Sequence, residues 1–155
     1  MNHQRRDVLK AGGSLGLFGL LVAAGLIRPE VAEAAWNKGA FDAKTLDEAF
    51  AALGAGKPAD SADIQITAPD IAENGAVVPV GVVSNLPKTE QIAILVEKNP
   101  FMLAANFEIP AGTVADIQTR IKMGQTSDVY ALVKADGKFV VARKEVKVTL
   151  GGCGG

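Results

Sequence analysis

The chain from residue 62 onward is broken into short apolar segments by turn residues about every 8–12 positions, a spacing typical of sandwiches. Valine and isoleucine alternate with polar residues in these segments, as they do in half-buried strands. Asp136-Gly137 is a strong signal for a two-residue hairpin turn. The pattern predicts about seven strands and an immunoglobulin-like antiparallel β-sandwich.

The predicted strands follow the apolar segments between the turns. They cover residues 62–69, 76–85, 90–98, 101–109, 114–123, 127–135 and 138–150. Pro79 lacks a backbone N–H and predicts an edge or a bulge within the second strand. The apolar stretches 76–83 and 91–98 could form either a surface for a partner or part of the core. Apolar residues of these types are more often found in the core.

Before the strands, residues 36–56 predict one short N-terminal helix. Thr45 is a candidate N-cap, and Glu48 three residues later completes a capping box. Leu46, Ala49, Phe50 and Leu53 recur at helical spacing, and Gly54 is a plausible stop. Trp36 and Phe41 are expected to pack beneath the helix. Residues 54–62 are then expected to form a linker to the sandwich.

Residues 1–34 have the features of an export signal rather than of a folded domain. Arg5-Arg6 and Lys10 precede an apolar stretch at 11–26, which is shorter than the roughly 20 residues of a membrane span. Ala32-Glu33-Ala34 resembles a cleavage site, so the mature chain is expected to begin near Ala35 and to leave the membrane. The twin-arginine route carries folded proteins. We therefore expect export to the periplasm together with a partner subunit that has no signal of its own.

The composition after residue 34 excludes several classes of function. This part of the chain has twelve lysines and arginines and fourteen aspartates and glutamates, which gives a net charge of −2. It has no basic stripe of the kind found in nucleic-acid-binding proteins. The chain has one histidine, His3, which belongs to the signal, and one cysteine. Structural zinc, haem c and iron–sulfur sites need more ligands than this, so no metal or cofactor is expected in the chain.

The last five residues, Gly-Gly-Cys-Gly-Gly, are the part of the sequence most closely related to function. Gly151, Gly152, Gly154 and Gly155 have no Cβ and predict a flexible C-terminal tail after a domain spanning 35–150. Three residues beyond Leu150 extend about 10 Å, so Cys153 can project clear of the domain. The tail has no group that would activate the thiol. Cys153 is therefore expected to be a covalent attachment point rather than a catalytic nucleophile.

The tail and its context resemble the SoxY family, the sulfur carriers of the periplasmic thiosulfate-oxidising system. The resemblance lies in "VKVTLGGCGG", in "RIKMGQTSDVYALV", and in the combination of a twin-arginine signal, one helix and a small β-sandwich. It implies that Cys153 holds the substrate covalently and that the four glycines form a swinging arm. It also implies pairing with a SoxZ-type β-sandwich subunit, as a heterodimer or heterotetramer.

The resemblance further implies that other proteins perform the chemistry. A haem cytochrome would attach thiosulfate to the cysteine, a manganese-dependent hydrolase would release sulfate, and a molybdenum-containing sulfane dehydrogenase would oxidise the remaining sulfur. The chain itself would be a carrier and not an enzyme. Two other readings remain open on the residues alone: an exported structural module that dimerises through a disulfide at Cys153, and an enzyme with an unrecognised active site.

Overall fold

The structure is a computed structural model that describes residues 37–150. It begins with two short helices, α1 (Lys38–Asp42) and α2 (Leu46–Ala52), where the sequence predicted one. The helices are separate because Ala43 and Thr45 have extended backbones. The predicted Trp36 contact and the signal at 1–34 lie outside the described residues.

The predicted cap of α2 is confirmed, with one difference in its partner. Thr45 Oγ1 accepts a hydrogen bond from the Glu48 N–H at 3.2 Å. The Glu48 carboxylate in turn accepts from the Lys44 N–H at 3.0 Å, one residue before the cap residue that a standard capping box uses. Gly54, with φ of +80°, follows the end of the helix as predicted.

Within residues 37–150, nine strands follow the helices, and the seven longer ones correspond to the seven predicted. They are β1 (Ala59–Asp60), β2 (Ile64–Thr67), β3 (Ile71–Ala72), β4 (Val78–Ser84), β5 (Thr89–Val96), β6 (Leu103–Glu108), β7 (Asp116–Ile121), β8 (Ser127–Ala135) and β9 (Lys138–Val148). The sequence did not predict β1 and β3, because two residues are too few to show a periodic pattern. The predicted linker at 54–62 therefore contains a strand.

The strands form two sheets, which confirms the mainly β, immunoglobulin-like sandwich. The larger sheet has the order β1-β9-β8-β5-β6, and β3 pairs with a later part of β9; the smaller sheet is β2-β4-β7. All pairs between long strands are antiparallel, whereas β1 and β3 run parallel to β9. The β8–β9 hairpin closes through Asp136 and Gly137, both with positive φ, as its sequence predicted.

The space between the two sheets holds the main hydrophobic core. Ile92, Ile94 and Val96 from β5 pack there in one cluster with Val78 and the other buried valines of β4. Both stretches that were considered as partner surfaces, 76–83 and 91–98, thus contribute mainly to the core. The interpretation of these stretches as core is therefore supported over that of a partner surface.

The opposite face of the larger sheet holds a second core beneath the helices. Ala93, Leu95 and Leu132 cluster there with Ala49 and Phe50 of α2. Strand β5 is therefore buried on both faces over Ile92–Val96. The alternation in its sequence predicted only one of these faces.

Pro79 lies within β4 without a bulge. Strand β2 pairs with β4 only from Gly81 to Ser84, so Pro79 has a paired neighbour on the β7 side alone. The predicted local edge is therefore confirmed, although β4 is the central strand of its sheet. Among the described residues, no helix has the length and apolar character needed to cross a membrane.

Candidate functional site

The predicted site residues, Cys153 with Gly151, Gly152, Gly154 and Gly155, lie outside the described residues. The structure describes the chain up to Leu150, which directly precedes the glycine segment. The candidate site is therefore described from this root, which we define as Lys147–Leu150, and from the segments that hold it.

Backbone hydrogen bonds hold the root against the segment from Asp70 to Gly75. The Lys147 N–H donates to the Asp70 carbonyl at 3.0 Å, and the Thr149 N–H donates to the Ala72 carbonyl at 3.1 Å. The Gly75 N–H then donates to the Leu150 carbonyl at 2.7 Å. Strand β9 ends at Val148, but these bonds continue to hold the backbone up to the last residue before the glycines.

Side chains add two further bonds to the same root. The Thr149 hydroxyl donates to the Glu73 carbonyl at 3.2 Å. On the other side of the chain, the Val148 N–H donates to Thr126 Oγ1 at 2.9 Å. The Gly75 carbonyl accepts from the Met123 N–H at 2.7 Å. The segment that holds the root is thereby bonded to Met123, two residues after the end of β7, which is a strand of the smaller sheet.

One ion pair lies near the root. Lys144 Nζ lies 3.0 Å from the Asp70 carboxylate and donates to the Ala68 carbonyl at 2.7 Å. The Asp70 side chain is 88% exposed, so this ion pair contributes little to stability. Its geometric role is to hold the loop before β3 against β9.

Apolar side chains project to solvent around the root. Leu150 is 66% exposed, Val77 is 53% exposed, and Ile71 on β3 is 58% exposed. Their neighbours Ala72 and Val78 point inward and are buried. The backbone of the root is therefore hydrogen-bonded, while the side chains of Leu150, Val77 and Ile71 are exposed.

The described residues offer little chemistry of their own near the root. Among residues 37–150, no group of three or more His, Cys, Asp and Glu side chains is placed to hold a metal ion. Two groups in this range have displaced pKa values. The hydrogen bonds from Lys134 and then from the Gly137 N–H hold the pKa of Glu90 below its ordinary value of 4.5. A hydrogen bond with Tyr130 raises the pKa of Arg143.

A shallow groove of about 670 Å³ lies at the other end of the sandwich. It is lined by the end of β4, the start of β5 and the loop 109–115, which includes the exposed Val114. Strand β8 connects the two ends and spans about 26 Å at roughly 3.3 Å per residue. Cys153 is three residues after Leu150, a span of at most about 10 Å, and therefore cannot reach this groove in its own molecule.

The segment that holds the root is the part of the site that sequence reasoning missed. Asn74-Gly75 was recognised only as a turn, although the Gly75 N–H and carbonyl both bond to other segments. Strand β3 consists of two residues, and its partner is far along the chain. The one available signal was the apolar pair Ile71-Ala72 between two turn sequences.

A family model and a solved structure both match this chain to one family. The family model "Sulfur oxidation protein SoxY" matches residues 50–153, a range that includes Cys153. The sulfur carrier protein SoxY from Chlorobium limicola f thiosulfatophilum is 37% identical with a TM-score of 0.62, over 74% of this chain and 100% of that chain. A superoxide reductase (neelaredoxin) from Ignicoccus hospitalis is 22% identical with a TM-score of 0.48, over 55% of this chain and 79% of that chain, which is too remote to carry an argument. No curated protein matches the chain.

Proposed function

The chain belongs to the SoxY family of sulfur oxidation proteins, and we propose that it is a sulfur carrier in thiosulfate oxidation whose attachment point is Cys153. The observation that carries this proposal is the family match, which extends through the only cysteine of the chain. The geometry of the root supports it, because the backbone is bonded up to Leu150 and the glycine segment follows directly.

In the proposed role, Cys153 accepts its load by oxidative coupling. The Cys153 thiol and thiosulfate form one S–S bond between Sγ and the outer sulfur, which releases one proton and two electrons. A haem cytochrome is the proposed electron acceptor. Nothing in this chain needs to hold the electrons, and its own contribution is to present Sγ.

Hydrolysis of the loaded thiol would follow on a second enzyme. Water attacks the terminal sulfonate sulfur, sulfate leaves with a proton, and a persulfide remains on Cys153. On a sulfane dehydrogenase, the outer persulfide sulfur would then gain three oxygen atoms from three water molecules, and six electrons would pass to that enzyme's own acceptor. A final hydrolysis of the resulting S–S bond would release sulfate and restore the thiol. The manganese, molybdenum and haem of these steps are proposed to belong to the partner enzymes, and this chain is proposed to have no catalytic activity of its own.

Gly151, Gly152, Gly154 and Gly155 are proposed to act as the swinging arm. A chain of glycines around one cysteine has almost no side-chain width, so it can enter a narrow channel. We further propose a SoxZ-type partner subunit and export to the periplasm by the twin-arginine route. The support for these two proposals is the signal-like sequence at 1–34 and the family membership.

Mass spectrometry of the C-terminal peptide from the native protein tests the carrier function. We expect a mixture of Cys153 species that a reductant converts to the free thiol, including a thiosulfate-type adduct and added sulfane sulfur. The Cys153→Ser variant should carry none of them and should support no thiosulfate oxidation. A protein isolated only as a disulfide-linked dimer, or full activity of Cys153→Ser, would contradict the proposal.

A further inference from the structure

Lys144 binds the chain at the point where it passes from one sheet to the other. Strand β2 ends at Thr67 in the smaller sheet, and β3 begins at Ile71 beside β9 of the larger sheet. We call the residues between them the crossing. Lys144 Nζ donates to the Ala68 carbonyl at 2.7 Å and lies 3.0 Å from the Asp70 carboxylate. One side chain of β9 therefore holds the crossing at both of its ends.

The crossing determines where β3 lies against β9. Strand β3 has two residues, so it is shorter than the strands that are common in globular proteins. The Lys147 N–H donates to the Asp70 carbonyl, and the Thr149 N–H donates to the Ala72 carbonyl. Asp70 thus joins the crossing to the root. A displaced crossing therefore displaces β3 and weakens the bonds that hold the root.

The surroundings of Lys144 distinguish it from a solvated surface lysine. Ala142 and Val146, its neighbours on the same face of β9, pack in the core between the sheets, and so does Ala68. The Lys144 side chain is 33% exposed, so its methylene groups lie along this core while its amine binds the crossing. The ion pair with the exposed Asp70 carboxylate contributes little. The bond to the Ala68 carbonyl is therefore the contact that matters most.

We propose that Lys144 is a positioning residue for the swinging arm, an inference that rests on the proposed carrier function. It acts through the crossing and β3 on the backbone bonds of Thr149 and Leu150. Without its amine, these bonds are expected to open together, because they all depend on the segment that follows the crossing. Val148 stays bonded to Thr126 Oγ1, which does not belong to that segment. The arm then starts after Val148 instead of after Leu150.

A change in the starting residue changes the volume in which Sγ can be found. Cys153 is three residues after Leu150, a span of at most about 10 Å, and five residues after Val148, a span of at most about 17 Å. The local concentration of a tethered group falls as its tether lengthens, and this change lowers it to about half. Lys144 therefore affects the rate at which a bound enzyme receives Sγ, although it does not touch the substrate.

The test compares hydrogen exchange at two backbone amides in Lys144→Met, which keeps the apolar stem but cannot donate a hydrogen bond. Exchange at Thr149 measures opening of the root, and exchange at the buried Leu132 in β8 measures opening of the whole domain. We expect the ratio of the Thr149 rate to the Leu132 rate to rise about tenfold. A general loss of stability would raise both rates and would leave this ratio unchanged or lower it.

Two variants serve as controls for the role of the amine. Lys144→Arg keeps a donor and should restore the ratio toward the wild-type value. Asp70→Asn removes the ion pair but not the bond to the Ala68 carbonyl, so its ratio should stay within about twofold of wild type. A spin label attached at Leu150→Cys in a Cys153→Ser background should give narrower spectral lines when Lys144→Met is added. An unchanged ratio in Lys144→Met, or an equal rise in Asp70→Asn, would overturn the proposal.

Turnover then tests the consequence for the arm. The measured quantity is sulfate release from thiosulfate by a carrier-depleted extract of the source cells, at increasing concentrations of added carrier. We expect Lys144→Met to have about half the wild-type maximal rate with a similar half-saturating concentration, and Lys144→Arg to restore the rate. A wild-type maximal rate in Lys144→Met would overturn the proposed effect on the arm. A wild-type protein that never carries an adduct on Cys153 would instead refute the carrier function, and the exchange ratio would not depend on that result.

Discussion

At the scale of single residues, Thr149 and Leu150 combine a hydrogen-bonded backbone with an exposed side chain. Their backbone groups are hydrogen-bonded to the segment at 72–75, so the tail starts from a defined place. Their side chains face outward, and the Leu150 side chain adds nothing to the core. The next residue in the sequence is a glycine.

Substitution of Gly152 tests whether the narrow tail matters for turnover. We expect Gly152→Val to lower the rate of thiosulfate oxidation several-fold, because a β-branched side chain stiffens and widens the backbone next to Cys153. The free energy of unfolding should stay within about 0.5 kcal/mol of wild type, as for other substitutions outside the packed core. The measurements are steady-state turnover and thermal unfolding.

Gly152→Ala is the control for this substitution, and it should have a smaller effect on turnover than valine. Gly154→Val should behave as Gly152→Val does. Unchanged turnover in both valine variants would contradict the requirement for a narrow, flexible tail.

At the scale of elements, the β8–β9 hairpin places two hydrogen-bond donors next to the Glu90 carboxylate. Its turn places the Gly137 N–H 2.9 Å from one oxygen of the Glu90 carboxylate, and Lys134 Nζ lies 3.0 Å from the other. Lys134 also lies 5.9 Å above the centre of the Phe139 ring. These contacts tie the start of β5 to the hairpin at the end of the sandwich opposite the tail.

The same contacts predict a small acid dependence of stability. The Lys134 hydrogen bond holds the pKa of Glu90 below 4.5, so both the folded and the unfolded chain carry an ionised Glu90 well above that pH. As the pH falls below 4.5, Glu90 is protonated first in the unfolded chain. The stability that ionised Glu90 contributes therefore decreases progressively, and it is gone once the pH is below the folded-state pKa. Glu90→Gln should therefore flatten the decrease in melting temperature below pH 4.5.

Lys134→Gln is the matched variant, because it removes the largest cause of the displaced pKa. It should flatten the same part of the profile, and melting temperatures measured at intervals of pH check both variants. The effect should be small in each, since the pair is solvent-exposed. If both variants kept the wild-type slope of melting temperature against pH, the Glu90 carboxylate would not contribute to the acid dependence of stability.

At the scale of the whole molecule, one sheet separates two cores. Ile94 faces the smaller sheet and Leu95 faces the helices, although the two are adjacent in β5. Both side chains are fully buried. The helices and the smaller sheet therefore pack on opposite faces of the same larger sheet, and loss of either core exposes one face of that sheet.

This arrangement predicts that both cores unfold in one transition. Ile94→Ala and Leu95→Ala should each lower the free energy of unfolding by about 2–5 kcal/mol, because each leaves a cavity in packed surroundings. Urea denaturation followed by fluorescence and by circular dichroism checks the value and the cooperativity. Val114→Ala, at an exposed position, is the control and should be close to wild type. Separate transitions for the two probes in Leu95→Ala would contradict a shared sheet.

Much of the architecture was predictable because it depends on local signals. Alternating valines and isoleucines predicted the seven long strands, and Asp136-Gly137 predicted the hairpin. Thr45, Glu48 and Gly54 predicted the bounds of α2. By contrast, β1 and β3 are too short for a pattern, and the second buried face of β5 depends on where the helices pack.

The sequence by itself determined the class of sandwich, the single cysteine with its glycine neighbours, and the resemblance to one family. These are properties of residue type and spacing, which act between near neighbours in the chain. Only the tertiary structure decided that residues 70–75 hold the root. The reason is physical: the hydrogen bonds between the root and residues 70–75 join segments more than seventy residues apart, and no local propensity encodes a pairing at that distance.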